Sequence, residues 1–270
     1  MADPVQPQPR ALIVTVYGLY ARVPNGAPGW LPVGVLVRLL AELGVAEPAV
    51  RSAISRLKRR GLLVAERSGG TAGYALSGVG AEILREGDER IFGPHAESRD
   101  GGWLLAVFSV PEAERAKRHT LRSRLAGLGF GAVAPGVWIA PAHRRKLVEA
   151  TLRRLSLESY VDLFRADYLA FADLEKMVGQ WWDLAAIAAS YLDFLDRFRP
   201  VLDRGAPDEA SAFADWVRAV TAWRRLPYLD PGLPAALLPA DWPEPTATRL
   251  FAELNTALAG PAHEHVRSVG

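Results

Sequence analysis

The sequence contains no cysteine, which excludes disulfide staples and thiolate metal sites and fits a reducing cytoplasm. It also lacks an apolar run long enough to cross a bilayer: the longest, around residues 181–195, is broken by Asp183 and Asp193. The first ten residues, MADPVQPQPR, hold no basic segment followed by an apolar one, so neither a signal peptide nor membrane attachment is expected. Enzyme motifs are equally scarce. His263-Glu264-His265 is not the HExxH of zinc enzymes, because alternate residues diverge on a helix. RSGGTAG (67–73) lies between two strand-like runs and does not open a helix, and no GxSxG elbow is present. Asp100 and Asp162, at strand ends, could ligate Mg²⁺, which keeps a metal-dependent nuclease or RNA-processing enzyme as the alternative reading. No catalytic residue, resident metal or cofactor is otherwise expected.

What is present is a chain of 270 residues, half of them apolar, enough for two or three packed domains. Its net charge of +2 conceals a segregation. Residues 1–90 carry 11 basic and 8 acidic side chains, residues 91–157 carry 11 and 5, and residues 158–270 carry 10 and 17. The first two stretches suit an anionic partner, whereas the last should be held away from phosphate or used against protein.

The basic character is sharpest in EPAVRSAISRLKRRG, residues 47–61. At helical spacing Val50, Ala53, Ile54 and Leu57 share one stripe, while Arg51, Ser52, Ser55, Arg56 and Arg59 point the other way. Pro48 suits the start of this helix and Gly61 its stop. No acidic residue lies between Glu47 and Glu66, so the polar face is cationic. Taken alone, such a face is most simply a solvated one. Its neighbours point further. Apolar helices are expected over 10–20 and 32–43, separated by the turn VPNGAPG (23–29), and the second ends at Gly44 just before the basic helix. That is the helix-turn-helix layout, whose second helix enters the major groove. LLVAE (62–66) and GYAL (73–76) then read as strands around a flexible tip at 67–72, a hairpin or wing. Ser77 can cap a further helix reaching Ile91. The partner implied is double-stranded DNA. Arg51 and Arg56 are placed for base edges, with Ser52 and Ser55 as short-range partners, and Lys58, Arg59, Arg60 and Arg67 for phosphates.

The middle of the chain alternates strand and helix signals: WLLAVFSV (103–110), a helix over 112–128, FGAVA (130–134), VWIA (137–140) after a Pro135-Gly136 turn, a basic helix over 143–155 and a strand over 160–166. Strand, helix, two strands, helix, strand is the ferredoxin-like order. Its basic residues Arg115, Lys117, Arg118, Arg122, Arg124, Arg144, Arg145 and Lys146 have three explanations: solvated cover, more DNA contact, or the phosphates of an anionic effector. From 173 onward the pattern is helical, with an apolar stripe from Trp181 to Phe198, a helix over 211–224, a proline-broken connection over 226–243, and a last helix over 246–258 before a polar tail.

ALIVTVYGLY (11–20), AVRSAISRLKRRGLL (49–63), RHTLRSRLAGLGFGAVAPGVWIAP (118–141) and WRRLPYLDPGLPAALLPADWP (223–243) occur in one order over nearly the full length. In these motifs the chain resembles the PaaX-like transcriptional regulators, repressors of phenylacetate catabolism and their relatives. The resemblance implies an α+β protein: a winged helix-turn-helix domain over 1–91, a ferredoxin-like βαββαβ middle domain over 92–171 and a helical C-terminal domain over 172–270 for dimerisation and effector response. It further implies a cytoplasmic, homodimeric, non-enzymatic repressor released from operator DNA by an aryl- or acyl-CoA thioester such as phenylacetyl-CoA. The thioester's adenosine phosphates would need cationic partners, so Arg115, Arg118, Arg122 and Trp138 are the candidates by chemistry.

Overall fold

Apolar residues at helical spacing drive the first three helices together. The computed structural model describes residues 8–22, 29–93, 101–169, 171–205 and 207–270; the expected turn at 23–29, except Gly29, and Asp100 lie outside them. Helices α1 (Pro9–Tyr20), α2 (Val33–Glu42) and α3 (Glu47–Arg59) bury Ile13, Val16 and Tyr17, then Leu36, Leu39 and Leu40, then Val50, Ala53, Ile54 and Leu57. Helices α2 and α3 stop the same way. Gly44 and Gly61 take φ of 81° and 71°, a conformation that lets the Val45 N–H reach the Leu40 carbonyl at 2.9 Å and the Leu62 N–H reach that of Leu57 at 3.0 Å. Carbonyls that the helix leaves without partners are thereby tied off.

The hairpin that follows is tighter than expected. Strands β2 (Leu63–Ser68) and β3 (Thr71–Leu76) pair in register up to Ser68 and Thr71. Gly69 and Gly70, at φ 56° and 82°, supply the two left-handed residues that a two-residue hairpin turn requires. The six-residue flexible tip therefore shrinks to two, and Arg67 lies within β2 opposite Ala72. Strand β1 (Trp30–Pro32) joins the other edge of β3, giving the order β1-β3-β2. It carries no local signal, since three residues ending in proline show no alternation. Its pairing depends on Gly73, where a Cβ would sit 2.5 Å from the Leu31 carbonyl and the Trp30 indole. Helix α4 (Gly78–Ile91) opens on Ser77, whose Oγ accepts from the Gly80 N–H at 2.9 Å, the expected cap.

Strand β4 (Trp103–Phe108), α5 (Arg115–Gly127), β5 (Gly131–Ala134), β6 (Val137–Pro141), α6 (Arg145–Arg154) and β7 (Val161–Ala166) follow in the anticipated series. They form an antiparallel sheet of order β5-β6-β4-β7. On one face Leu104, Ala106, Trp138 and Ala140 pack with Leu121, Leu125, Val148 and Leu152 of the two helices. On the other, Trp103 and Ile139 pack with Val178 and Trp181 of α7 (Leu174–Trp181) and with Trp182 and Leu233. Central β4 is covered on both sides, which is why it reads as an unbroken apolar run.

The apolar stripe expected through 181–198 is interrupted. Trp182 is extended, at φ −127° and ψ 142°, and Asp183 restarts the chain as α8 (Leu184–Asp203) by accepting from the Ala186 N–H at 2.9 Å. Asp208 caps α9 (Glu209–Trp223) in the same manner, and the proline-rich connection contains only the single turn α10 (Leu226–Leu229) and a 3-10 turn (Ala235–Leu237). The last helix, expected to end near 258, runs as α11 (Glu244–Val269) through Pro261. Tertiary bonds hold its final turns: Arg38 of α2 donates to the Val269 carbonyl at 2.6 Å, and His265 Nε2 lies 2.7 Å from Glu42 Oε2.

By contact the chain divides into two units, one of Met1–Gly93, Asp193–Arg224 and Thr246–Gly270, the other of Pro94–Leu192 and Arg225–Pro245. The first is centred on stacked aromatics, with Trp223 and Phe251 4.6 Å apart at 12°, and joins Thr15 of α1 to Thr221 of α9 through a buried hydroxyl pair at 2.8 Å. Within the second, the buried Tyr191 hydroxyl donates to Asp230 at 3.0 Å. Burial, then the Asp230 charge, pushes that phenol's pKa up.

Candidate nucleic-acid interface

Helix α3 has one face committed to packing and one to solvent. Val50, Ala53, Ile54 and Leu57 are at most 3 % exposed, whereas Arg51, Ser52, Ser55, Arg56, Lys58, Arg59 and Arg60 are all exposed. Charge is ordered along the axis as the peptide dipole favours, with Glu47 in the first turn and Arg56, Lys58 and Arg59 in the last.

Two of the cations are loosely held. Arg51 pairs with Glu47 at 2.6 Å, one helical turn back, with both side chains more than half exposed. Such a pair contributes about 0.3–0.5 kcal/mol, while a bidentate contact to a guanine edge is worth about 1–3 kcal/mol; the base contact wins. Lys58 Nζ lies 5.9 Å above the Tyr74 ring of β3, so that cation spans the end of α3 and the hairpin. Arg56, Arg59, Arg60 and Arg67 make no side-chain ion pair among the described residues. Tyr17 of α1 fixes the hairpin from beneath by donating its hydroxyl to the Tyr74 carbonyl at 2.9 Å. The sequence marked the cations of α3 but not Tyr17 or Tyr74, whose pairing across 57 residues leaves no local trace.

The basic residues of the second unit do not converge on one site. Trp138 is 9 % exposed within the core between sheet and helices, where its ring is engaged in packing. Arg118 bonds Glu112 at 2.9 Å and the Val110 carbonyl at 2.7 Å. Lys117 bonds the Tyr160 hydroxyl at 2.6 Å and Glu114 at 3.1 Å, and hydrogen bonding from Tyr160 and then Lys117 holds the Glu114 carboxyl below its ordinary pKa. Arg145 does the same to Glu149. Arg144 is buried, donating to the Asp230 carbonyl at 2.5 Å and that of Pro231 at 3.3 Å, a structural role that its place in a basic run disguised. Arg115, Arg122 and Arg124 remain exposed on α5, and Lys146 on α6.

Among the described residues no group of three or more His, Cys, Asp or Glu side chains is arranged to hold a metal ion. Asp162 is exposed on β7. In the HEH stretch, the His263 ring lies tilted against Tyr20, Glu264 pairs with Arg267, and His265 meets Glu42. No helix among the described residues is long and apolar enough to cross a membrane.

Three family models match in succession: PaaX-like protein over residues 8–80, PaaX protein central Cas2-like domain over 96–178, and PaaX-like protein C-terminal domain over 182–268. Transcriptional repressor PaaX from Escherichia coli K12 is 31 % identical over 271 residues, covering 96 % of this chain and 83 % of that protein. Among solved structures, uncharacterized protein Rv0674 from Mycobacterium tuberculosis aligns with a TM-score of 0.57 over 95 % of this chain and 96 % of its own, at 24 % identity, a likeness of fold. With its three domain matches in order and this level of identity over nearly its whole length, the chain belongs to the PaaX-like family of transcriptional regulators.

Proposed function

We propose that this transcriptional repressor grips operator DNA as a homodimer, α3 of each copy in successive major grooves, and lets go when an aryl-CoA thioester binds. On this reading residues 1–91 are a winged helix-turn-helix domain, 92–171 a ferredoxin-like middle domain and 172–270 a helical domain for pairing and effector response. The observation that carries the DNA reading is the exposed end of α3, where Arg56, Arg59 and Arg60 have no acidic partner among the described residues, followed by a hairpin bearing Arg67. Charge so placed neutralises phosphates, while Arg51 and Arg56 reach base edges. The thioester is supported by the repressors of phenylacetate catabolism that the chain resembles.

Selection of bound duplexes from a random pool tests the first part. Enrichment of a two-fold symmetric site with half-sites about one helical turn apart, or a multiple, is expected; a pool that stays random after repeated rounds removes the operator reading. Phenylacetyl-CoA added to the selected complex should lower its affinity, and an unchanged mobility shift across a panel of aryl-CoA thioesters removes the effector.

A further inference from the structure

Within the first unit, the end of α1, the end of α4, α9 and α11 enclose an open cavity of about 440 Å³. Tyr20, Phe92 and Trp216 line it with rings, and Asn255, Ala259 and His263 line it from α11. The charges in its wall cancel: Arg22 and Asp88 form a bidentate pair, and the Arg22 guanidinium also donates to the Gly18 carbonyl at 2.9 Å. That leaves the Tyr20 hydroxyl, buried without a partner, and the exposed Asn255 amide and His263 ring as polar groups with no hydrogen-bond partner among the described residues. Cavities of about 300–1,000 Å³ with aromatic walls and a few polar groups are the size and chemistry of small-ligand sites.

We infer that this cavity binds a flat aromatic group carrying one carbonyl acceptor, and that binding there controls the reading helix. The body of the ligand lies against Phe92, Trp216 and Tyr20; its carbonyl accepts from Asn255 or His263. The cavity is open, so a long polar substituent can leave it. The inference rests on the effector reading above, for which it supplies the seat of the aryl-acyl end.

Its position explains how occupancy reaches the DNA. Tyr20 and Gly18 line the cavity, and Tyr17, on the same helix, holds the hairpin through the Tyr74 carbonyl. Ile13 and Tyr17 line one small apolar cavity together with Leu57 of α3 and with Leu63 and Leu76 of the hairpin. A ligand that wedges α1 and α4 from α9 and α11 moves the seat of α3. The coupling equals the difference in its affinity for the DNA-bound and free arrangements.

The test uses the full chain and two probes, phenylacetyl-CoA and the N-acetylcysteamine thioester of phenylacetate, which keeps the aryl-acyl group and lacks the nucleotide. Calorimetric titration should show the short thioester binding the native chain. Ala259→Trp, which fills the cavity from the half-exposed side of α11, should raise its half-saturation concentration at least about tenfold, and Asn255→Leu should act in the same direction. A native far-ultraviolet circular dichroism spectrum and urea midpoint certify that both variants fold. No binding of the short thioester to the native chain, or equal binding to Ala259→Trp and Asn255→Leu, overturns the cavity assignment whatever phenylacetyl-CoA does to the operator. Binding that Ala259→Trp abolishes, with no release of operator by phenylacetyl-CoA, upholds the cavity and removes the effector reading instead.

Discussion

At the scale of single residues, the cations of α3 divide by what they can reach. Arg51 sits in the second turn with a carboxylate partner that a base can displace, whereas Lys58 sits in the last turn, above Tyr74. Replacing Arg51 by Ala should cost about 1–3 kcal/mol on the selected operator and relax one position of it. Lys58→Ala should weaken specific and random duplexes alike and reduce the slope of log affinity against log salt by about one. Filter binding across a salt series separates the two, and equal losses on both duplexes for both variants would defeat the division. That these cations share an exposed face was legible because a helical face is a local pattern. Arg144 was not: a guanidinium in a basic run looks solvated, and only a chain segment 86 residues away buries it. The burial of Trp138 was equally hidden, since alternation along a short strand does not say that both faces of its sheet are covered.

At the scale of elements, stops were read more reliably than lengths. Gly44 and Gly61 end their helices through the left-handed backbone that glycine permits. Ser156 ends α6 in the same conformation, at φ 52°, with the Leu157 N–H bonded to the Leu152 carbonyl at 3.0 Å. A non-glycine residue there costs about 1 kcal/mol. Ser156→Gly should therefore raise stability by up to about 1 kcal/mol, measured as a higher urea midpoint at unchanged slope; an unaltered midpoint would show that the serine is not strained. Gly73→Ala should do the opposite to β1, whose carbonyl at Leu31 leaves no space for a methyl group, and faster amide exchange confined to Trp30–Pro32 and its partners on β3 is the expected sign. Strand β1 was invisible in the sequence because it exists only through that close approach. The extension of α11 past Pro261 was invisible because Glu42 and Arg38, more than 220 residues earlier, hold it.

At the scale of the whole molecule, the order of strands and helices from β4 to β7 was readable, since each element carries its own period and connections are short. How the C-terminal segments group was not. Asp193–Arg224 and Thr246–Gly270 cluster with the first 93 residues, a partition that composition does not encode. One consequence is mechanical. The bonds between His265 and Glu42 and between Val269 and Arg38 tie the last turns of α11 to α2. His265→Ala with Arg38→Ala should loosen that tie and lower operator affinity without touching any residue of α3; native affinity in the double variant, with amide exchange in α11 accelerated, would show that the tie is dispensable for reading.

The two-glycine turn at Gly69 and Gly70 has a further consequence. Because the β2–β3 ladder is paired to its last residues, Ser68 and Thr71, the chain surrenders the freedom of this hairpin on folding and has little left to surrender on meeting a duplex. A six-residue loop would have carried that ordering cost into binding. In the proposed complex Arg67 would come to a phosphate already in place, and lengthening the turn with flexible residues should weaken duplex binding entropically while every contact survives.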